Sequence, residues 1–265
     1  MSTQPLIWCW WDNCHEFEAG SHNARYCIGC KCKRKQENAV KRLTPVETTS
    51  EQRVEQWNRS ETAKVGRLET AQKKNQWLYE NSSFGHFDLE TTNLDASIGM
   101  ILCGCIKDHG SGEIFTAVSG RDKDGLFDDK EATIALRDQV EKYDYITTWY
   151  GTGFDVPYIN TRLMIHGERP INQLRHIDLY YRARFNLKLH SNRLQVAAET
   201  FLSGSDKTRI VGPIWLRAVA GSKADMDYIV EHCKIDVSEL GQLFDVLRGF
   251  VNLSAVRWRK FGASY

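Results

Sequence analysis

Between Phe84 and Thr92 the chain reads Phe-Gly-His-Phe-Asp-Leu-Glu-Thr-Thr, an apolar and aromatic run that ends in two carboxylates one residue apart. The run has the make-up of a β-strand. Side chains alternate along a strand, so Asp88 and Glu90 share a face at the end where the chain turns off through Thr91, Thr92 and Asn93. Two carboxylates held side by side repel each other unless a positive charge sits between them, and a hard divalent cation meets that need. A solvated turn can carry the same pattern, so its meaning depends on what else the chain brings to the strand's end.

The remainder of the chain is large enough to bring a good deal. Its 265 residues suffice for one α/β domain and a small appendage. With 42% hydrophobic and 26% charged residues the composition is globular, and no apolar run is long enough to cross a bilayer, which excludes a membrane role. The start, Met1-Ser2-Thr3-Gln4-Pro5, lacks the basic and apolar segments of a secretory signal, so a reducing compartment is expected. Cysteines there are metal ligands or buried thiols rather than disulfides. Residues 1–80 carry 13 Lys/Arg against 10 Asp/Glu, a modest bias compatible with a polyanionic partner.

Five of the eight cysteines fall within the first 32 residues, as Cys9-x4-Cys14 and Cys27-x2-Cys30 followed by Cys32. Two short-spaced pairs with a dozen residues between them are what a tetrahedral structural Zn2+ requires, and so small a segment needs the metal to fold. The ligand set is Cys9, Cys14, Cys27 and Cys30, with Cys32, His15 and His22 as substitutes. Trp8, Trp10 and Trp11 supply this module's core, or one of them stacks on a nucleobase. The basic run Lys31-Cys32-Lys33-Arg34-Lys35 is a phosphate-contacting or simply solvated face. Thr44-Pro45-Val46-Glu47 has the form of a helix start, and a polar helix is expected to run from there towards Tyr79 as a connector.

From Ser82 the pattern changes. Strands are expected at Ser97–Ile106 and Glu113–Val118, with 108–112 as the turn between them, making an antiparallel meander with the first strand. Lys130–Tyr143 reads as a helix, Tyr145–Tyr150 as a buried strand and Val156–His166 as a helix. Leu194, Ala197, Ala198, Phe201 and Leu202 form one helical face, and Ile229, Cys233, Leu240, Leu243 and Leu247 form another on a helix over 225–247. Cys103 and Cys105 are expected to be small buried hydrophobes. Strands followed by alternating strands and helices give a mixed α/β sheet. The expected division is a zinc module over 1–43, a connecting helix over 44–80, a main domain over 81–250 and a tail over 251–265.

Two further carboxylates stand out. Asp155 lies at a strand-to-helix junction inside Gly151-Thr152-Gly153-Phe154-Asp155-Val156-Pro157, and Asp236 shares a helical face with His232, one turn earlier. In order and spacing these four acids resemble the DEDD 3′–5′ exonucleases, which have a ribonuclease H-like fold. There D-x-E closes the first strand, an Asp opens a helix after a Gly-rich turn, and a last Asp lies on a late helix. His176-Ile177-Asp178-Leu179 is similar to the branch near the exonuclease domains of family-B polymerases. That branch has Tyr four residues before its last Asp, where this chain has His232; an Asn often found in the family just before the second motif's glycine is replaced by Tyr150. The other large branch has His five residues before it, where this chain has Glu231.

The resemblance implies an α/β ribonuclease H-like mixed sheet flanked by helices, with the zinc module and connecting helix appended. It implies phosphodiester hydrolysis with two Mg2+ or Mn2+ ions about 4 Å apart, Asp88 bridging them, Glu90 and Asp236 completing the first shell and Asp155 supporting the second. His232 is suited to orient or deprotonate the attacking water, with Tyr228 as the alternative. Arg182, Arg184, Arg193, Lys207 and Arg209 lie between the second and third motifs, where they hold a substrate backbone or form an exposed face. The leading reading is a metal-dependent 3′–5′ exonuclease acting on single-stranded or 3′-ended DNA. Its alternatives are a ribonuclease or an internally cutting nuclease on the same fold, and a non-catalytic nucleic-acid-binding protein. By analogy, a zinc module beside a compact exonuclease suits a cytoplasmic replication or repair protein of a bacterium or phage.

Overall fold

The computed structural model describes residues 6–8, 16–18, 38, 49–171, 173–203 and 212–260. The chain divides into two compact units, residues 1–66 and 67–265. In the first, β1 (Leu6–Trp8) pairs antiparallel with β2 (Glu16–Glu18), Ile7 opposite Phe17. The candidate zinc ligands Cys9, Cys14, Cys27 and Cys30, their substitutes Cys32, His15 and His22, and the helix start at Thr44–Glu47 lie outside the described residues.

Helix α1 (Ser50–Glu80) buries no side chain, as its polar sequence leads one to expect. It begins on a reciprocal cap made a few residues later than the Thr44 motif. The Gln52 amide donates to Thr49 Oγ1 at 3.2 Å, and Gln52 Oε1 accepts from the Thr49 amide at 3.0 Å. Its last turns belong to the second unit, where Asn75 clasps the backbone of Val251 and Leu253 and the Tyr79 ring packs on Phe84 and Phe244.

The second unit is built on strands β3 (Phe84–Thr91), β4 (Ile101–Asp108) and β5 (Ile114–Val118), a small ribbon of β6 (Gly120–Arg121) and β7 (Phe127–Asp128), helix α2 (Lys130–Val140), strand β8 (Tyr145–Thr148), helix α3 (Asp155–Ile165), strand β9 (Gln173–Asp178), helices α4 (Leu179–Asn186), α5 (Leu194–Phe201), α6 (Gly212–Ala220) and α7 (Lys223–Leu247), and strand β10 (Trp258–Lys260). The main sheet has the order β10-β9-β8-β3-β4-β5. The β3-β4-β5 meander is antiparallel, β8 and β9 add parallel to β3, and β10 closes the edge antiparallel to β9. This is the mixed, helix-flanked α/β sheet expected from the sequence.

Several ends move. The second strand starts at Ile101 rather than Ser97, because Asn93 and Asp95 turn their side chains onto the backbone amides of Asp95 and Ser97 and hold this stretch as a turn. The fourth strand stops at Thr148, where Tyr150 takes a positive φ of 70° that a strand cannot continue. The segment expected as a tail carries β10, whose Trp258 receives the Arg175 guanidinium 4.4 Å from its ring.

Alternation along β3 decides what each of its faces packs against. Phe87 and Leu89 point into the core shared with Leu136, Val156 and Ile159 of α2 and α3. Phe84, His86, Asp88 and Glu90 point to the other side, which α7 covers. Phe84 meets Phe244 at 5.1 Å between ring centres, and His86 lies over Gly241, where an added Cβ would come within 3.0 Å of the imidazole. Burial pushes the His86 pKa down to about 3, and its ring nitrogens are held by Thr147 Oγ1 at 2.6 Å and His109 Nδ1 at 3.0 Å. From there on α7 faces the two acids.

Candidate active site

Asp88 and Glu90 emerge where β3 outruns its parallel neighbour. The β3–β8 ladder ends at His86 opposite Thr147, whereas β3 continues to Thr91. Asp155, the first residue of α3, lies beside this overhang, where the Leu89 amide favours the charged form of its carboxyl. The second acid motif thus sits against the strand segment that carries the first. As the sequence suggests, Asp155 sits at a strand-to-helix junction; Phe154 holds the cap position, without a capping hydrogen bond of its own. With only 3% of its surface exposed, Asp155 has its carboxyl pushed up to about 7 by burial, aided by the nearby charge of Asp178.

On the other side α7 supplies His232, Cys233 and Asp236. The His232 Nε2 lies 3.8 Å from Glu90 Oε1 and 3.7 Å from Asp236 Oδ2, and one ligand atom from each of these three residues falls within 4.8 Å of the others. Behind them, Cys233 Sγ sits 3.7 Å from Asp88 Oδ2 and 3.6 Å from the Asp88 carbonyl oxygen. Cys105 and Cys103 stand directly across the β3–β4 ladder from Asp88 and Glu90 and share one core cluster with Cys233. The three thiols form a thin, apolar floor that lets α7 approach the strand, the buried role expected for Cys103 and Cys105. Burial raises the Cys233 pKa well above its ordinary value, so this thiol stays protonated beside Asp88.

The donor set suits a hard divalent cation. Octahedral oxygen ligands held about 2.1 Å from an ion lie about 3 Å apart when adjacent and about 4.2 Å when opposite. The separations of 3.7 and 3.8 Å in the Glu90, His232 and Asp236 group fall in that range, and carboxylate oxygens favour Mg2+ or Mn2+ over softer metals. A second acidic group, Asp128, Asp129 and His166, is different in kind. There Arg162 grips Asp129 through Nε at 2.8 Å and a terminal nitrogen at 2.7 Å, so the cation is supplied by the protein.

The structure therefore brings Glu90, His232 and Asp236 into one cluster, sets Asp88 on the same strand face as Glu90, and leaves Asp155 outside that cluster, near Leu89 of the same strand. Tyr228 lies one turn before His232 on α7. Reading the residues alone misses the part of Asp178. Its carboxylate accepts from the amides of Tyr150 and Thr152, both at 2.9 Å, and of Tyr180 at 3.2 Å. It thereby caps α4 and clamps the turn that delivers Asp155. The available signal was an Asp between a strand and a helix.

The profile of one family runs across this whole arrangement, from residue 86 in β3 to residue 248 after α7, and its description is RNase_H superfamily. The chain belongs to the RNase H superfamily. Among solved structures, this RNase H superfamily member is similar to the family B DNA polymerase from the hyperthermophilic archaeon Pyrobaculum calidifontis, with a TM-score of 0.52 and 18% identity. The match covers 63% of this chain and 24% of the polymerase chain. At that identity the likeness is one of fold, and it spans about a quarter of the polymerase. No curated protein sequence matches the chain.

Proposed function

We propose that the chain is a metal-dependent 3′–5′ exonuclease that hydrolyses phosphodiester bonds of DNA. The observation that carries this reading is the grouping of Glu90, His232 and Asp236, with Asp88 on the same face of β3 as Glu90. Asp88, Glu90 and Asp236 would hold one divalent ion, and Asp88 with Asp155 a second. Bound there, the two ions would supply an acidified water and neutralise charge on the phosphate. The protein's own part is to gather the acids: β3 presents two from one face, and the buried cluster of Cys103, Cys105 and Cys233 backs that face. His232 Nε2, aimed at the same carboxylates, is placed to take the proton from the attacking water or to serve as a further ligand.

The reading is tested with end-labelled single-stranded DNA, duplex DNA and RNA in Mg2+ or Mn2+, wild type against Asp88→Ala. The expected result is a ladder shortening from the 3′ end, abolished by EDTA and at least about 10³-fold slower in the variant. Internal cuts, or degradation of RNA alone, would replace this reading with one of its alternatives. Absence of cleavage by wild type on every substrate would refute it.

A further inference from the structure

A row of aromatic rings runs away from the turn that delivers Asp155. The Tyr150 ring lies 4.8 Å from Tyr180 and 6.2 Å from Tyr181, Tyr180 meets Tyr181 at 5.1 Å, and Tyr181 stacks on Phe185 at 6.0 Å with 19° between the ring planes. The row is not core. Tyr150 is 44% and Phe185 76% exposed, the latter among the most exposed large apolar side chains described.

Two features show that the first ring is held on purpose. Tyr150 has φ 70°, the only non-glycine residue with positive φ among those described, a conformation that costs about 1–2 kcal/mol for an L-residue. The Asp178 carboxylate pins its amide in place, and Gly153 makes room beneath it, since a Cβ there would come within 2.6 Å of the ring. The same turn then places Asp155, five residues on. The ring is therefore fixed relative to the carboxylates by the backbone itself.

Apart from the buried Asp178 that caps this helix, the charges along the row are cationic. Residues 179–193 contain Arg182, Arg184, Lys188 and Arg193 and no acidic residue. Arg184 reaches over the Tyr180 ring, its guanidinium 5.9 Å from the centroid, and donates to the Tyr180 hydroxyl at 3.0 Å. Exposed and half-buried rings interleaved with cations, on the turn that leads to the proposed metal-binding carboxylates, match the two halves of a nucleic-acid strand, with stacking for bases and cations for phosphates. A duplex keeps its bases stacked on one another and has no use for the rings.

We infer that Tyr150, Tyr180, Tyr181 and Phe185 form a stacking platform that grips the bases of a single DNA strand leading to the carboxylate site. The inference rests on the proposed nuclease reading. Strand-end hydrolysis needs the substrate unpaired near the scissile bond, and a platform contiguous with the Asp155 turn would select for that. Stacking tolerates any base, so the platform sets strandedness rather than sequence.

The test uses the full chain with its zinc retained and without added Mg2+ or Mn2+, so that cleavage does not intervene. Fluorescence anisotropy measures binding of labelled dT12 and of a 12-mer with the same phosphates but abasic sugars. Variants are Tyr181→Ala, Phe185→Ala, their double, and Tyr181→Phe. Wild type is expected to prefer dT12. Each alanine should remove about tenfold of that preference while leaving abasic affinity in place, and Tyr181→Phe should restore it. Near-UV circular dichroism and thermal melting confirm that each variant is folded, and exposed Phe185 provides a variant with little structural role. Equal binding of both oligomers by wild type, or variants that keep the full preference, would overturn the platform while leaving the nuclease reading intact. Wild type that binds neither oligomer and cleaves no substrate would overturn both.

Discussion

The acid that the proposed chemistry needs at Asp155 is one that the fold would be better without. In the unfolded chain an Asp titrates near 3.8, whereas burial pushes Asp155 up to about 7. Between those values the folded protein keeps a proton that the unfolded chain has lost, so stability falls as pH rises through this window and is flat above it. A shift of about 3 pK units corresponds to at most about 4 kcal/mol, and relaxation around the charge reduces this to about 1–3 kcal/mol. Asp155→Asn removes the titration but keeps the side chain's shape and a carbonyl oxygen acceptor. In EDTA the variant should match wild type near pH 4 and exceed it by about 1–3 kcal/mol at pH 7.5, or about 2–4 °C in Tm per kcal/mol. Denaturant unfolding of both proteins from pH 4 to 8 measures the difference directly. With Mg2+ the ordering should narrow or reverse, because the ion stabilises only the carboxylate form. A variant that is less stable than wild type at pH 7.5 in EDTA, or a difference that does not change with pH, would refute this account of the site.

Other expectations follow from single contacts. Asp129 is buried, yet hydrogen bonds from Arg162, the Ile101 amide and His166 outweigh that burial and hold its carboxyl below the usual range. Asp129→Ala should therefore cost about 3–5 kcal/mol in urea unfolding, and the pair's contribution in wild type should fade as pH drops below about 4. Gly104→Ala would push a Cβ to 2.7 Å from Leu136 and Leu89 in the core, an overpacking that should lower stability by about 1–3 kcal/mol with unchanged denaturant m-value. His232→Gln should reduce cleavage by about 10²–10⁴-fold at saturating Mn2+ while Tyr228→Phe leaves it near wild type; the reverse result would move the proton role to Tyr228. The purified chain should hold one equivalent of zinc by mass spectrometry of metals, and Cys27→Ser with Cys30→Ser should abolish it.

Local chemistry made much of this legible in advance. Period-two alternation at Phe84–Glu90 reveals both the strand and the shared face of Asp88 and Glu90, because alternation is a property of the extended backbone and needs no partner. The stripe from Ile229 to Leu247 likewise gives the long helix, and the i, i+4 spacing places His232 beside Asp236. Tertiary contacts decided the rest. That β3 outruns β8 depends on where Tyr150 breaks the neighbouring strand, and Asp178 holds that break from 28 residues away. Cys103, Cys105 and Cys233 gain their meaning as a floor only when two strands and a helix meet. The sequence by itself determined which residues share a face, since a side chain's direction follows from the local backbone; which faces meet, and how far burial perturbs the groups between them, only the folded chain decides, because desolvation and long-range hydrogen bonds act between segments remote in sequence.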